Sequence, residues 1–243
     1  MAMVDVVYPL GSGSTWGNNE LRYSLRSIEK HLKNCRHVYI IGEDPGWEIN
    51  NVTLIPFEDR WHPSRNIMEK IRVACRNQQI SDEFIFMNDD FFLLQDVDAS
   101  TYPYYNRGQL KESIPKNVGN WYQNYVIDTM KELRSRSLPE LNFDMHCPIR
   151  YHRNLFLEVM QKYDFDQKLT VKSIYCNTLG IEGEYMEDCK IAGRMADFIL
   201  ERKIKDRHIF STGDRCLLPY HNQESAVKQL LNNLYPNPSK YEI

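Results

Sequence analysis

The residues best suited to chemistry interrupt an apolar run. In "EFIFMNDDFFLL", Glu83 to Leu94, a strand-like stretch ends in Asn88, Asp89 and Asp90, and apolar residues resume at once. Adjacent carboxylates at the end of a buried strand repel each other and lose hydration. They are tolerated when a divalent cation or several hydrogen-bond donors sit between them and solvent. Hard oxygen ligands suit Mg2+ or Mn2+, and such an ion would in turn hold a diphosphate. Further along, "HCPIRYH" sets His146, Arg150 and His152 close together. A histidine can take a proton from a hydroxyl, and an arginine can neutralise charge that builds on a phosphate. His146 and Arg150, with Asp89, are therefore the candidate catalytic residues. Arg22 stands where the start of a helix would help it pair a phosphate, and His62 and Arg65 occupy a loop before a second helix.

Regular elements must bring these residues together. "VDVVY", Val4 to Tyr8, reads as a strand ended by Pro9 and the loop "GSGST". In "NNELRYSLRSIEKHLKN", Leu21, Leu25, Ile28 and Leu32 recur at helical spacing. "HVYIIGED" and "NVTLIPF" are two further strands, "HPSRNIMEKIRVACRN" is a helix with Ile67, Ile71 and Ala74 facing inward, and "EFIFM" is the fourth strand. Glu69 and Lys70 read as a solvated helix face. The order β-α-β-β-α-β predicts an α/β fold, a mostly parallel sheet flanked by helices, with ligands bound beyond the carboxyl ends of the strands. Asn88 to Asp90 fall at that edge.

A strand ending in a DxD-like triplet resembles the donor site of the GT-A nucleotide-sugar transferases, whose sheet is Rossmann-like. That resemblance implies Asn88 and Asp89 on the donor and Asp90 on Mn2+ or Mg2+. The chain from Asp5 to Leu94 is also similar to the Stealth family of sugar-phosphate transferases. A "DVVY" strand, an "ELRYSLRS" helix, the "HVYIIG" strand, the "PSRNIMEKI" helix and "FIFMNDD" follow in that family's order and approximate spacing. "DMHCPIRYHRNLFLEVMQKY" looks like its third region, and "FSTGD" is more weakly similar to its closing segment. The resemblance implies nucleotide contacts at the loop after the first strand, here Tyr8, Pro9, Leu10 and Gly11, together with Arg22, Arg65 and Asn66. In GT-A-like enzymes a late loop brings a further metal ligand, for which "STGDRCLLPYH" offers Asp214 and His221.

The departures are specific. Pro9, Leu10 and Gly11 stand where the family has Thr-Trp-Val-Asn or Asp-Gly. Lys70 occupies the place of the family's helical acid after Asn66. The fourth-region arginine is missing from "KLTVKSIYCNTLG", which offers only Lys168 and Lys172. That absence tilts the expectation from phosphoryl toward glycosyl transfer.

Composition bounds the rest. The chain has 243 residues, 42% of them hydrophobic and 26% charged, with a net charge of −3. This suits one large α/β domain and excludes both disorder and a strongly basic nucleic-acid binder. Six scattered cysteines form neither a zinc pattern nor a disulfide framework. No leader peptide or apolar span is legible, so the expected location is cytoplasmic. Residues 1–97 read as the nucleotide-sugar-binding half and 98–140 as an aromatic-rich acceptor insertion carrying Tyr102, Tyr104, Tyr105, Trp121, Tyr122 and Tyr125. Residues 141–243 complete the same domain. The expected function is metal-dependent transfer of a sugar from a nucleotide sugar to a glycan or other hydroxyl. The alternatives are Stealth-type sugar-1-phosphate transfer, glycosylation of a hydroxymethylated DNA base and a non-catalytic carbohydrate-binding domain.

Overall fold

The computed structural model of the chain describes residues 3–114, 121–194, 197–219 and 224–243. The first half alternates β1 (Val4–Leu10), α1 (Asn19–His31), β2 (Leu32–Lys33), β3 (Cys35–Gly42), β4 (Val52–Pro56), α2 (Pro63–Arg76), β5 (Glu83–Phe86) and β6 (Phe91–Leu93). Next come β7 (Val97–Asp98), β8 (Tyr105–Asn106), α3 (Trp121–Ser135), β9 (Ile149–His152), α4 (Arg153–Met160) and α5 (Val171–Thr178). The chain closes with β10 (Glu184–Tyr185), β11 (Lys190–Ile191), α6 (Asp197–Ile204), β12 (Ile209–Thr212) and α7 (Ala226–Leu234). The central sheet has the order β4-β3-β1-β5-β9, parallel except for the antiparallel edge strand β9. This is the expected α/β architecture of the GT-A-like type, a mainly parallel sheet flanked by helices.

Side chains alternate across the sheet because successive strand residues point to opposite faces. Val7, Tyr39, Ile41, Phe84 and Phe86 join α2, α4 and α5 in one apolar layer. Val6, Tyr8, Val38, Ile40 and Ile85 meet α1 in the other. A third cluster, with Phe92 and Phe210 at its centre, packs α6 and α7 against the small sheet β11-β12-β6. Leu110 and, from α3, Val126 and Leu133 lie in the first layer.

Two sequence expectations need correction. The first strand does not end at Pro9; it runs on to Leu10, with Pro9 opposite Ile41 of β3. Pro9 has the parity of Val7, whose carbonyl faces β5 and accepts from Met87 N at 3.0 Å. By Pro9, β5 has ended, so the missing N–H leaves no ladder partner unsatisfied. Lys70 is not solvated either. It is 3% exposed, and its ammonium donates to Leu10 O at 2.8 Å and pairs with Asp59 at 2.7 Å. Gly42, at φ 144°, lies so close to Leu10 O that a Cβ would collide with it. Lys70 and Gly42 thus fix where β1 hands over to the Gly11 loop.

Candidate active site

The link between β5 and β6 is a tight turn in which Phe91 N donates to Asn88 O at 3.2 Å. Two serines of α1 hold it in place. Ser24 Oγ donates to Phe91 O at 2.6 Å, and Ser27 Oγ accepts from Leu93 N at 3.1 Å. The turn therefore presents half-buried Asn88, Asp89 and Asp90 at the carboxyl edge of the sheet, between two cavities.

The first cavity, about 250 Å3, is acidic. Asp89, Asp90, Glu20 and Asp214 line it, together with the backbone of Gly11, Gly13 and Gly213. Burial raises the Asp89 carboxyl to about 7, helped by the charges of Asp90 and Glu20. Burial likewise raises Glu20, with Asp214 and Asp90 adding to the effect. Asp90 is raised by burial too, against the opposing pull of Lys190 and His146. Its Oδ2 accepts from Ser211 Oγ at 3.0 Å, while its Oδ1 is buried with no hydrogen-bond partner among the described residues. Glu20 is held by Ser14 Oγ at 2.9 Å.

An orphaned carboxylate oxygen beside raised carboxyls fits a divalent cation, since hard oxygen donors of one sign await a counter-charge. Among the described residues no group of three or more His, Cys, Asp or Glu side chains is arranged to hold a metal ion. A cation here would take its remaining ligands from a bound phosphate and water, as Mg2+ commonly does.

The second cavity, about 620 Å3, is lined by Asn88, His146, Arg107, Lys172 and Lys190 over a floor that includes Phe86, Tyr125 and Tyr151. His146 Nδ1 lies 2.8 Å from Asp188 Oδ2, and its Nε2 lies 3.2 Å from Lys190 Nζ. Burial would raise Asp188, but the hydrogen bonds and charge of His146, with Arg107 behind them, carry it down to about 2. Arg107 donates to Asp188 at 3.2 Å and to Tyr122 OH at 2.9 Å. Lys172, 8% exposed, donates to Met145 O and Cys147 O at 2.6 and 2.8 Å. The Tyr151 hydroxyl is buried without a hydrogen-bond partner among the described residues. Chemically, an imidazole oriented by a carboxylate faces a cation-rimmed chamber, one turn away from an acidic site.

The structure distributes the other expected residues differently. Gly11 and Asp214 line the acidic cavity. The Tyr8, Pro9 and Leu10 side chains are buried in the sheet, Tyr8 OH bonding Ser24 at 3.0 Å. Arg22 pairs with Glu242 at 3.3 Å and stacks over Trp47, and Arg65 pairs with Asp166 and covers Trp61. Asn66 spends its amide on the loop before α2, accepting from Trp61 N at 2.9 Å and donating to Trp61 O at 2.8 Å. Arg150 points away from His146, donating to Tyr102 O and Ser100 O at 2.8 and 3.0 Å. His62 caps α2 through Arg65 N and contacts Tyr125 OH at 3.2 Å. His221 lies outside the described residues, as does the side chain of Trp121.

Of the other aromatic residues, Tyr122 and Tyr125 reach the second cavity. Tyr102 is 1% exposed and bonds His208 at 2.9 Å, and Tyr104 packs under Arg150. Nothing in this placement favours a flipped DNA base as acceptor. Sequence reasoning missed Asp188 and Lys190. Glu20 was legible only as a charge at the start of the "ELRYSLRS" helix and Lys172 only as a lysine where the fourth-region arginine is missing, with nothing in either stretch to point to its spatial partners.

No protein-family model matches the chain. Over 102 residues it is 32% identical to the N-acetylglucosamine-1-phosphotransferase subunits alpha/beta of mouse, and equally to the human protein. The match covers 38% of this chain and 8% of each relative, so the chain spans a small part of their length. Among the described residues no helix is long and apolar enough to cross a membrane.

Proposed function

We propose that the protein transfers a sugar-1-phosphate from a nucleotide sugar to a hydroxyl of a glycan acceptor. The observation that carries this reading is the Asp188-oriented His146, facing a cation-rimmed cavity that shares the Asn88–Asp90 wall with an acidic one. The likeness to a sugar-phosphate transferase over 102 residues supports the same class. Asp89 and Asp90 would hold Mg2+ or Mn2+, with Asp214 and Glu20 close by. When bound, the ion supplies positive charge for the donor diphosphate.

The chain's own residues then do the rest. Nε2 of His146 takes the proton of the acceptor hydroxyl as that oxygen bonds to the β-phosphorus. The bond from this phosphorus to the bridging oxygen breaks, and its electron pair leaves on the nucleoside monophosphate. Arg107, Lys172 and Lys190 offer the cationic cover that a fourth-region arginine would otherwise give. For this reason phosphoryl transfer is preferred to glycosyl transfer. The apolar floor and the Tyr151 hydroxyl suit a sugar face with a polar edge.

The test is a donor screen: purified protein, Mn2+, a panel of nucleotide sugars and glycan acceptors, with the spent nucleotide separated by chromatography. A nucleoside monophosphate as the primary product is expected. A diphosphate would establish glycosyl transfer instead, and no release with any donor would overturn the transferase reading.

A further inference from the structure

Three consecutive residues, Asp188, Cys189 and Lys190, each touch His146. Asp188 accepts from His146 N at 3.2 Å and bonds its Nδ1, and the Cys189 thiol donates to His146 O at 2.8 Å. Lys190 Nζ reaches Nε2 at 3.2 Å. A lysine ammonium has donors only, so in the neutral imidazole the ring nitrogen it meets is the acceptor, and the ring proton sits on Nδ1 toward Asp188. The lone pair that a general base needs is thus already occupied by a Lys190 N–H. Among the described residues that contact is the one hydrogen bond of the ammonium, and no carboxylate forms an ion pair with it, though its charge is felt at Asp90.

Lys190 sits between the two cavities. Its Cα pairs with Ser211 on β12, and the Ser211 hydroxyl bonds Asp90 Oδ2. Its stem passes Gly213, where an added Cβ would lie 3.3 Å from Lys190 Cε. Gly213 belongs to the wall of the acidic cavity, and the ammonium ends in the larger one. The flexible four-carbon stem can therefore swing the charge along the Asn88–Asp90 wall.

We propose that Lys190 is a mobile cation shared by the two cavities, capping Nε2 of His146 at rest and moving onto an anionic oxygen of the bound donor, which uncovers the base. This rests on the transferase reading above. A hydrogen bond from an ammonium to a phosphoryl oxygen is charged on both sides and stronger than one to a neutral imidazole, so an arriving anion wins the ammonium. Lys190 keeps its three protons, exchanging N–H···Nε2 for N–H···O. The freed Nε2 accepts the acceptor proton as the new O–P bond forms and the nucleoside monophosphate departs with the electron pair of the broken bond. The premature proton uptake that an open base would allow is prevented.

The resting contact is tested without turnover. Diethyl pyrocarbonate modification of His146, 30% exposed at its side chain, is followed by peptide mass spectrometry in wild type and in Lys190→Met. Melting curves confirm the fold, and Lys190→Ala replaces the Met variant if that melts early. Modification several-fold faster in the variant is expected; equal rates overturn the cap, whatever the enzyme does. In the kinetic arm, Lys190→Met should lower kcat by about 10²-fold with little change in acceptor KM. Ethylammonium should restore part of the rate in Lys190→Ala. Faster modification with unchanged kcat would leave Lys190 a cap only and overturn its role on the donor. Absence of wild-type turnover with every donor would sink the transferase reading, while the modification arm still decides the contact.

Discussion

The two cavities beside the Asn88–Asp90 turn handle charge in opposite ways. In the acidic one, Glu20, Asp89, Asp90 and Asp214 face one another with serine hydroxyls on Glu20 and Asp90 and, among the described residues, no ion pair to a cation, only the pull of the Lys190 and His146 charges on Asp90. Burial pushes up the carboxyls of Glu20, Asp89 and Asp90. In the other, which Asp144 also lines, the three cations are each leashed: Arg107 to Asp188, Lys172 to two carbonyls, Lys190 to His146. A cavity of unneutralised like charges holds an unfavourable free energy until a counter-ion enters. A cavity of leashed cations is stable when empty and responds only to an anion that offers a better partner. On the proposed reading, the first would take a cation and what the cation carries, and the second would release charge to an arriving anion.

The largest test of that contrast is Asp90→Asn. It should abolish transfer and the thermal stabilisation that donor with Mn2+ confers, while leaving the apo fold intact, as read by melting curves. Normal donor binding with Mn2+ in this variant would detach the acidic cavity from the donor. Next in size, His146→Ala should lower kcat by about 10²–10⁴-fold and leave Mn2+-dependent stabilisation unchanged, because it acts in the other cavity. A parallel loss of stabilisation would merge the two cavities into one site.

The cavities also predict opposite pH slopes. Asp89, raised to about 7 from an ordinary 3.8, binds its proton more tightly when folded, so with EDTA present its contribution to stability falls as pH rises from about 4 to about 7. Asp188, lowered to about 2, contributes about 2 kcal/mol above its ordinary range, and this is lost as pH falls from about 4 to about 2. Melting temperature against pH should therefore decline on both sides of pH ~4, with Mn2+ flattening the neutral limb alone. A neutral limb insensitive to Mn2+ would contradict the cation site. The smallest effect belongs to Arg22→Ala. Its ion pair with Glu242 is shared with Arg26, so the cost should be about 0–1 kcal/mol, with donor affinity as in wild type. Weakened donor binding would return Arg22 to the nucleotide side.

The lesson for reading such a chain lies in particular residues. Asn88 to Asp90 were legible because a polar triplet cannot sit inside an apolar strand, and strand order places its end at the ligand edge. His146 was legible as a basic residue beside a proline. Arg150, four residues on, was not separable from it by sequence. On β9 the side chains alternate, so Tyr151 faces the cavity while Arg150 turns to the carbonyls of Ser100 and Tyr102. Asp188 and Lys190 were invisible because Lys190 opens a two-residue strand, with Asp188 two positions before it, in a stretch with no periodicity, and their meaning depends on His146, more than 40 residues away.

The sequence by itself determined the α/β order, the placement of the carboxylate triplet at the carboxyl edge and the two apolar layers. Those follow from local periodicity and from burial, which each segment carries within itself. Only the tertiary structure decided which charges meet. Glu20 joins Asp89 because α1 is pinned to β6 by Ser24 and Ser27, and Lys190 reaches His146 because β11 pairs with β12 beside Asp90. Electrostatic interactions depend on distances of a few ångström between residues far apart in the chain, and no local pattern encodes such distances.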